Sequence, residues 1–174
     1  MSRCFVAIEL PADVRATLLA SAPSGEGCRP VRDEQLHVTL HFLGERDPDA
    51  VIAALEALSF EPFTLRVGGL GVFEGQDRDR ICWAGLEESA ALVTLHRQVG
   101  LALAAVGFAP EARPYRPHVT LARSKSSATV PVEAFQAAAL GPMDVPVSEI
   151  ALFESVLGPT GPSYTRLWAS SPHA

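Results

Sequence analysis

The spacing of apolar and polar residues divides this chain into alternating strand-like and helix-like segments. Short apolar runs, or apolar residues at every second position, indicate strands where Gly, Pro or polar residues bound them. Apolar residues at spacings of three and four indicate helices that pack one face on a core. The predicted strands cover residues 4–10, 37–43, 63–73, 80–86, 118–123, 150–155 and 164–169. The predicted helices cover residues 11–20, 47–58, 89–106 and 132–140, with a loop at 21–30. Gly44 is expected to end the second strand.

One four-residue sequence occurs twice. His37–Leu40 reads His-Val-Thr-Leu, and His118–Leu121 repeats it 81 positions later in a chain of 174 residues. Each copy follows a loop and is followed, after another loop, by a predicted helix. The repeat therefore predicts a single domain over residues 1–174 that consists of two similar lobes. Each lobe contributes one strand, at 37–40 and at 118–121, to a shared site.

Residues two apart on a strand project from the same face of the sheet. His37 and Thr39 are therefore expected to project together, about 6–7 Å apart, while Val38 enters the core from the other face. His118 and Thr120 repeat this arrangement in the second copy. Two such strands facing each other across a cleft would gather two imidazoles and two hydroxyls around one point.

That set of groups suits phosphodiester hydrolysis. In-line attack at phosphorus needs a base on the entering oxygen and an acid on the leaving oxygen. A histidine, with an ordinary pKa of about 6.5, serves in either role near neutral pH. The threonine hydroxyls suit the non-bridging oxygens, whose charge grows in the transition state. Since a 2′,3′-cyclic phosphate is strained and has an internal leaving group, no metal and no cofactor are expected.

Two other interpretations of the repeat remain. Each histidine could simply begin a strand and form local hydrogen bonds. Alternatively, His37 and His118 could bind a metal, although no Asp, Glu or Cys stands at a matching position as a third ligand.

Charge narrows the class of partner. The net charge of −6 disfavours nonspecific coating of nucleic acid, which needs a broad basic surface. Residues 112–132, however, include no acidic side chain and four basic ones, Arg113, Arg116, Arg123 and Lys125. A local excess of this size around His118 suits a small anionic group.

Other features of the chain bear on its compartment. No run of eighteen apolar residues occurs, and the amino terminus lacks the pattern of a signal peptide, which predicts a cytoplasmic protein without a membrane span. The three cysteines, Cys4, Cys28 and Cys82, have no metal-type spacing and are expected to be free thiols.

The motifs resemble those of a known family. Segments 4–11, 36–45, 81–86, 116–123 and 153–164, including both His-x-Thr motifs, are similar to the 2H phosphoesterases. Within them, the resemblance is to the bacterial and archaeal RNA 2′,3′-cyclic phosphodiesterases, also called 2′-5′ RNA ligases. It implies a two-lobed α+β fold with pseudo-twofold symmetry, antiparallel sheets lining a central cleft and helices outside.

The resemblance also implies a reaction and roles. A terminal 2′,3′-cyclic phosphate would be hydrolysed to a 2′-phosphate, so the 3′ oxygen leaves. His37 matches the proton donor to that oxygen, and His118 matches the proton acceptor from water. Thr39, Thr120 and Arg123 match groups that bind the phosphate.

Three positions after the histidines of the motifs, Arg123, His41 and Phe42, each have two possible orientations or roles. Arg123 lies an odd number of residues from His118, so strict alternation turns it away from the cleft unless a bulge or strand end returns it. His41 would share the face of His37 and reach RNA beyond the scissile phosphate, or lie at the surface. Phe42 could stack on a base, although alternation favours a core role. The remaining histidines, His96 and His173, are expected to be structural or solvated.

The partner predicted from these observations is an RNA with a 2′,3′-cyclic phosphate end, or a small cyclic nucleotide, bound by a monomer. Two alternatives stay open. The same residues could run the reaction backwards, as a 2′-5′ ligase, or the protein could bind RNA ends or nucleotides without catalysis.

Overall fold

The computed structural model describes residues 1–75, 79–125 and 131–170. The strands are β1 (Ser2–Glu9), β2 (Cys28–Pro30), β3 (His37–Arg46), β4 (Phe63–Glu74), β5 (Arg80–Leu86), β6 (His118–Ser124), β7 (Met143–Val147), β8 (Ala151–Gly158) and β9 (Gly161–Ala169). The helices are α1 (Ala12–Ser21), α2 (Pro48–Glu56), α3 (Ala90–Leu103) and α4 (Val132–Ala137). Short 3₁₀ turns lie at Asp33–Gln35 and Ala104–Val106.

The strands form one antiparallel sheet with the two motif strands at its centre. Its order is β7-β4-β5-β6-β3-β1-β8-β9, so four strands lie on each side of the boundary between β6 and β3. At that boundary, Val38 and Val119 are the paired residues. The remaining strand, β2, pairs with the outer half of β6, beyond that contact. The predicted α+β fold is confirmed, and the antiparallel strands expected on the two sides are joined in a single sheet.

The helices and the sheet enclose the main core. Helix α1 packs near β6, α3 on β3, α4 on β4, and α2 against α3. Val38, Leu40, Val119 and Leu121 all lie in this core and are at most 3% exposed. Because these four side chains point toward the helices, the alternate residues of both motifs are left on the opposite, open face of the sheet.

Helix boundaries follow local chemistry. The Asp47 carboxylate accepts from the backbone N–H of Asp49 at 3.2 Å, and Pro48 occupies the first turn of α2, where a missing N–H is harmless. The Ser89 hydroxyl caps α3 through the N–H of Leu92 at 3.1 Å. None of the helices in the described ranges is both long and apolar enough to cross a membrane.

Two strands were not predicted from the sequence, and one strand ends later than predicted. β2 lies inside the predicted loop, because its three residues include Pro30 and carry no alternating pattern. β7 contains Pro146, which is tolerated there because β7 is an edge strand. Gly44 does not end β3; it adopts a φ of +67° within a register shift, and the strand continues to Arg46. Residues 76–78 of the predicted turn lie outside the described residues.

Gly71 gives a test of packing on the open face. A Cβ at this position would clash with the ring of Trp83, which also packs on Phe73 with ring centroids 5.1 Å apart. Gly71→Ala is therefore expected to lower the free energy of unfolding by about 1–3 kcal/mol, because the indole must move. Urea unfolding would measure the change. Gly141→Ala is the control, since a Cβ there meets nothing within 4 Å; equal losses in both variants would contradict this account.

Candidate active site

The pairing of β3 with β6 brings the two motifs together. With Val38 opposite Val119 in antiparallel register, His37 is carried next to Thr120, and Thr39 next to His118. All four side chains are half-buried on the open face of the sheet. The predicted gathering of two imidazoles and two hydroxyls is therefore present in the structure.

Each histidine is held by the carbonyl two residues before it. His37 Nδ1 lies 2.6 Å from the Gln35 carbonyl oxygen, and His118 Nδ1 lies 2.8 Å from that of Arg116. Since a carbonyl oxygen only accepts, Nδ1 must carry the proton in both rings. The neutral rings therefore present an unprotonated Nε2, and the Thr39 hydroxyl donates to His37 Nε2 at 2.9 Å. Both motifs thus expose the nitrogen that is able to exchange a proton with substrate.

Burial makes the two imidazoles hard to protonate in the free protein. Desolvation lowers the pKa of His37 to about 4, against the hydrogen bond to Gln35, and the nearby charge of His118 lowers it further. The pKa of His118 is also lowered, first by burial and then by the positive charge of Arg123, while its bond to Arg116 acts in the opposite direction. At neutral pH, both rings are therefore neutral before substrate binds.

Both motif strands contain a β-bulge at the same position. Along β1, Val6 pairs with His41 and Ala7 with Thr39, so Leu40 is the extra residue of β3. Along β5, Cys82 pairs with Ala122 and Trp83 with Thr120, so Leu121 is the extra residue of β6. Each bulge turns two successive side chains into the core and reverses the alternation that follows.

The reversal returns Arg123 to the face of His118. Leu121 and Ala122 are both fully buried, whereas Arg123 is exposed, and its charge acts on the pKa of His118. The bulge that this position needed in order to reach the cleft is therefore present.

The same reversal overturns the placements of His41 and Phe42. His41 is only 6% exposed and faces α3, where its Nε2–H donates to the His96 carbonyl at 2.8 Å and its ring stacks on the His96 ring. His41 therefore lies neither on the face of His37, from which it could contact RNA, nor at the surface, and both expectations for it are wrong. Phe42 is 65% exposed, beside Phe5 on the open face, so the core role favoured by alternation is also wrong.

Aromatic rings flank each histidine. The ring of His37 lies 4.9 Å from that of Phe5 and 5.5 Å from that of Tyr164, centroid to centroid. The ring of Phe73 meets His118 edge-on at 5.1 Å. A cavity of about 270 Å³ adjoins His37, and Phe153 also lines it.

Tyr115, which precedes the second motif, contacts the backbone of the first motif. The Tyr115 hydroxyl donates to the Thr39 carbonyl at 2.8 Å, and its ring stacks on His96 at 3.8 Å. The pKa of His96 is lowered to about 4 by burial and by the nearby His41. His96 therefore has the structural role expected for it, while His173 lies outside the described residues.

Several site residues had no signal in the alternating pattern. The residues whose carbonyls orient the rings, Gln35 and Arg116, act through backbone atoms that composition does not reveal. Phe5, Phe73 and Tyr164 come from strands distant in sequence, and only the sheet order places them beside the histidines.

The described residues include no group of three or more His, Cys, Asp or Glu side chains placed to hold a metal ion. Within these residues, the alternative of a metal at His37 and His118 therefore has no third protein ligand.

The protonation of His37 gives a testable prediction. In the free protein, the imidazole proton signals of His37 are expected to titrate with a midpoint near 4, because burial disfavours the charged ring. Saturating inorganic phosphate should raise that midpoint, since an anion beside the ring favours the imidazolium. An NMR pH titration, with the His37→Asn variant used to assign the signal, would measure both values. A midpoint near 6.5 without phosphate would contradict the burial seen here.

The chain is similar to known proteins over most of its length. The family model for the 2′-5′ RNA ligase superfamily matches residues 10–158. A protein of Aeropyrum pernix named RNA 2′,3′-cyclic phosphodiesterase is 36% identical over 154 residues, which cover 84% of this chain and 88% of that protein. One of the same name from Escherichia coli is 32% identical over 96% of both chains.

Solved structures show the same fold. A crystal structure of a Thermus thermophilus protein matches with a TM-score of 0.80 and 33% identity, covering 98% of this chain and 97% of the other. The E. coli LigT structure in complex with 3′-AMP matches with a TM-score of 0.75 and 27% identity over 98% of both chains. The fold, the paired motifs and the match over most of the sequence show that this chain belongs to the 2′-5′ RNA ligase superfamily.

Proposed function

We propose that this protein hydrolyses the terminal 2′,3′-cyclic phosphate of RNA to a 2′-phosphate, by acid–base catalysis with two histidines and without a metal. One observation carries the proposal: His37, Thr39, His118 and Thr120 meet across the Val38–Val119 pair with each Nε2 directed away from the backbone carbonyl that holds its ring. The relatives named RNA 2′,3′-cyclic phosphodiesterase support the substrate class.

The reaction moves two protons: one leaves the attacking water, and one is delivered to the leaving oxygen on the other side of the phosphorus. His118 Nε2 takes a proton from water as the water oxygen bonds to phosphorus. The bond from phosphorus to O3′ breaks, and His37 Nε2–H protonates O3′, which leaves a 3′-hydroxyl and a 2′-phosphate. This assignment of donor and acceptor follows the family resemblance. Thr39, Thr120 and Arg123 bind the non-bridging oxygens as their negative charge grows.

The low pKa of His37 requires that substrate help to protonate it. Raising the pKa from about 4 to its ordinary 6.5 takes on the order of 3 kcal/mol. One negative charge about 4 Å from the ring, at an effective dielectric constant of about 20, contributes roughly 4 kcal/mol. The charge of the cyclic phosphate is thus of the right size to offset the burial of His37, and we propose that the enzyme becomes competent for proton donation when its substrate binds.

The surroundings of His37 suit the terminal nucleoside. The cavity beside it has Phe5, Phe153 and Tyr164 in its wall, and aromatic rings stack on bases of any sequence. Phe42, exposed next to Phe5, adds a ring at the edge of this surface. A LigT of E. coli has been crystallised with the nucleotide 3′-AMP, which supports a nucleotide as ligand.

The proposal also covers the domain organisation, the compartment and the oligomeric state. The symmetric strand order about β3 and β6 supports a single domain of two pseudo-symmetric lobes over residues 1–174. The free thiols of Cys4, Cys28 and Cys82 are compatible with the reducing cytoplasm. We expect the enzyme to act as a monomer, because each chain supplies both motifs.

Replacement of either histidine by Asn removes the proton-transfer group but keeps a hydrogen-bond donor for the carbonyl that orients the side chain. An Asn amide retains a donor near the position of Nδ1, for the carbonyl of Gln35 or Arg116, but removes Nε2. His37→Asn and His118→Asn should each lower kcat about 10²–10⁴-fold on an RNA ending in a 2′,3′-cyclic phosphate. The assay should resolve 2′-phosphate from 3′-phosphate products, and excess EDTA should leave the wild-type rate unchanged.

The matched control is His41→Asn, which removes a histidine that faces α3 on the opposite side of the same strand. Its folded fraction, by circular dichroism, should be measured beside its rate. Full activity in His118→Asn would refute the mechanism. Tight binding of the cyclic end by wild-type protein without turnover would instead support a non-catalytic binding protein.

The superfamily to which the chain belongs also suggests ligation, the reverse of cleaving a 2′-5′ linkage into a 2′,3′-cyclic phosphate and a 5′-hydroxyl. The 5′-hydroxyl would take the place of water as the nucleophile, with His118 again as the base and His37 as the acid. With two RNA halves at high concentration, one ending in a 2′,3′-cyclic phosphate, we expect a small amount of 2′-5′ joined product. His118→Asn should abolish ligation and hydrolysis together; ligation that survives in this variant would show that a different site performs it.

A further inference from the structure

Two arginines face each other beside the catalytic groups. In the antiparallel pairing of β2 with β6, Arg29 lies directly opposite Arg123. Directly opposed residues project from the same face, with Cβ atoms about 4.5–5.5 Å apart. Both side chains are exposed, and Arg123 is on the face of His118. Arg29 therefore extends the catalytic face by one cross-strand position, on the edge of β6 where β3 has diverged.

This arrangement places like charges together without a carboxylate between them. Like charges directly opposite each other destabilise a strand pair. Six arginines in the described ranges form ion pairs with carboxylates: Arg15, Arg32, Arg66, Arg80, Arg113 and Arg166. Neither Arg29 nor Arg123 does so within those ranges, although the chain has 20 acidic residues against 14 basic ones.

Further positive charge converges on the same region. Arg123, Arg3 and Arg32 each lower the pKa of the Tyr164 hydroxyl, although burial, the larger effect, raises it. Tyr164 in turn contacts the ring of His37. Three guanidinium groups, one of them that of Arg123, thus act on the ring beside His37 in a protein whose net charge is −6.

One cation is sufficient for the scissile phosphate, which has a single negative charge, and Arg123 supplies it. We propose that Arg29 binds a second phosphate of the substrate, the one esterified to O5′ of the terminal nucleotide. The inference rests on the proposed function and narrows its substrate class: the enzyme selects ends with that second phosphate, as in an RNA chain, over mononucleoside 2′,3′-cyclic phosphates.

The test compares kcat/KM for two substrates. One is a nucleoside 2′,3′-cyclic phosphate, and the other is a dinucleotide that ends in the same cyclic nucleotide. Arg29→Gln should lower the ratio of dinucleotide to mononucleotide kcat/KM by about tenfold or more, through KM, because a charge-assisted contact to phosphate is lost. Arg29→Lys, which keeps the charge, should restore a large part of the ratio. The salt dependence of kcat/KM with the dinucleotide should become shallower in Arg29→Gln, because one contact between opposite charges is lost.

Arg97→Gln is the control for net charge, since Arg97 is exposed on α3, away from the open face. It should leave the ratio unchanged. A third substrate, the mononucleotide with an added 5′-phosphate, separates the sources of the charge. If Arg29→Gln lowers kcat/KM for this third substrate as much as it does for the dinucleotide, the phosphate itself is the ligand of Arg29.

An unchanged ratio in Arg29→Gln overturns the inference, and turnover of both substrates would then leave the proposed function intact. An equal fall for both substrates also overturns it, because Arg29 would then act on the scissile phosphate. Failure of wild-type protein to hydrolyse either substrate would overturn the proposed function itself.

Discussion

The backbone pairing at Val38 and Val119 is the contact on which the site depends. It joins four strands on one side to four on the other, and it is the point where the two copies of the repeat meet. With both valines buried beneath the helices, the residues on either side of each valine must face outward. The site is thus a by-product of core packing: apolar residues fix the register, and the register then places the polar ones.

The sequence predicted the elements and the central residues of the site more fully than it predicted their surroundings. A repeated His-x-Thr motif with apolar residues in between specifies a strand, a face and a chemistry at once. The motif does not specify where a bulge reverses the alternation of side chains within the strand. The bulges at Leu40 and Leu121 are recognised only from the register with β1 and β5, which is set by residues far along the chain. For that reason, strict alternation predicts the wrong face for both His41 and Phe42.

The two histidines are alike in sequence but not in environment. His37 is enclosed by Phe5 and Tyr164 and is bonded to Thr39, whereas His118 stands near Arg123. Both are fixed through Nδ1 by a preceding carbonyl, and burial lowers the pKa of both. The proposed role of His37 as the proton donor depends on the charge of the substrate, because the free protein holds this ring in its neutral form.

The matched bulges place different side chains at the two ends of the site. Phe42 and Arg123 occupy equivalent positions after the two motifs, and both are turned onto the open face. Two identical motifs alone would accept a cyclic phosphate in either of two orientations, with O2′ and O3′ exchanged. An aromatic ring at one end and a guanidinium at the other make those orientations unequal, because only one places the nucleoside on the ring side and the anion on the cationic side. In the proposed reaction, this residue pair outside the repeated motif favours one polarity of the bound RNA end, and hence the release of one of the two oxygens.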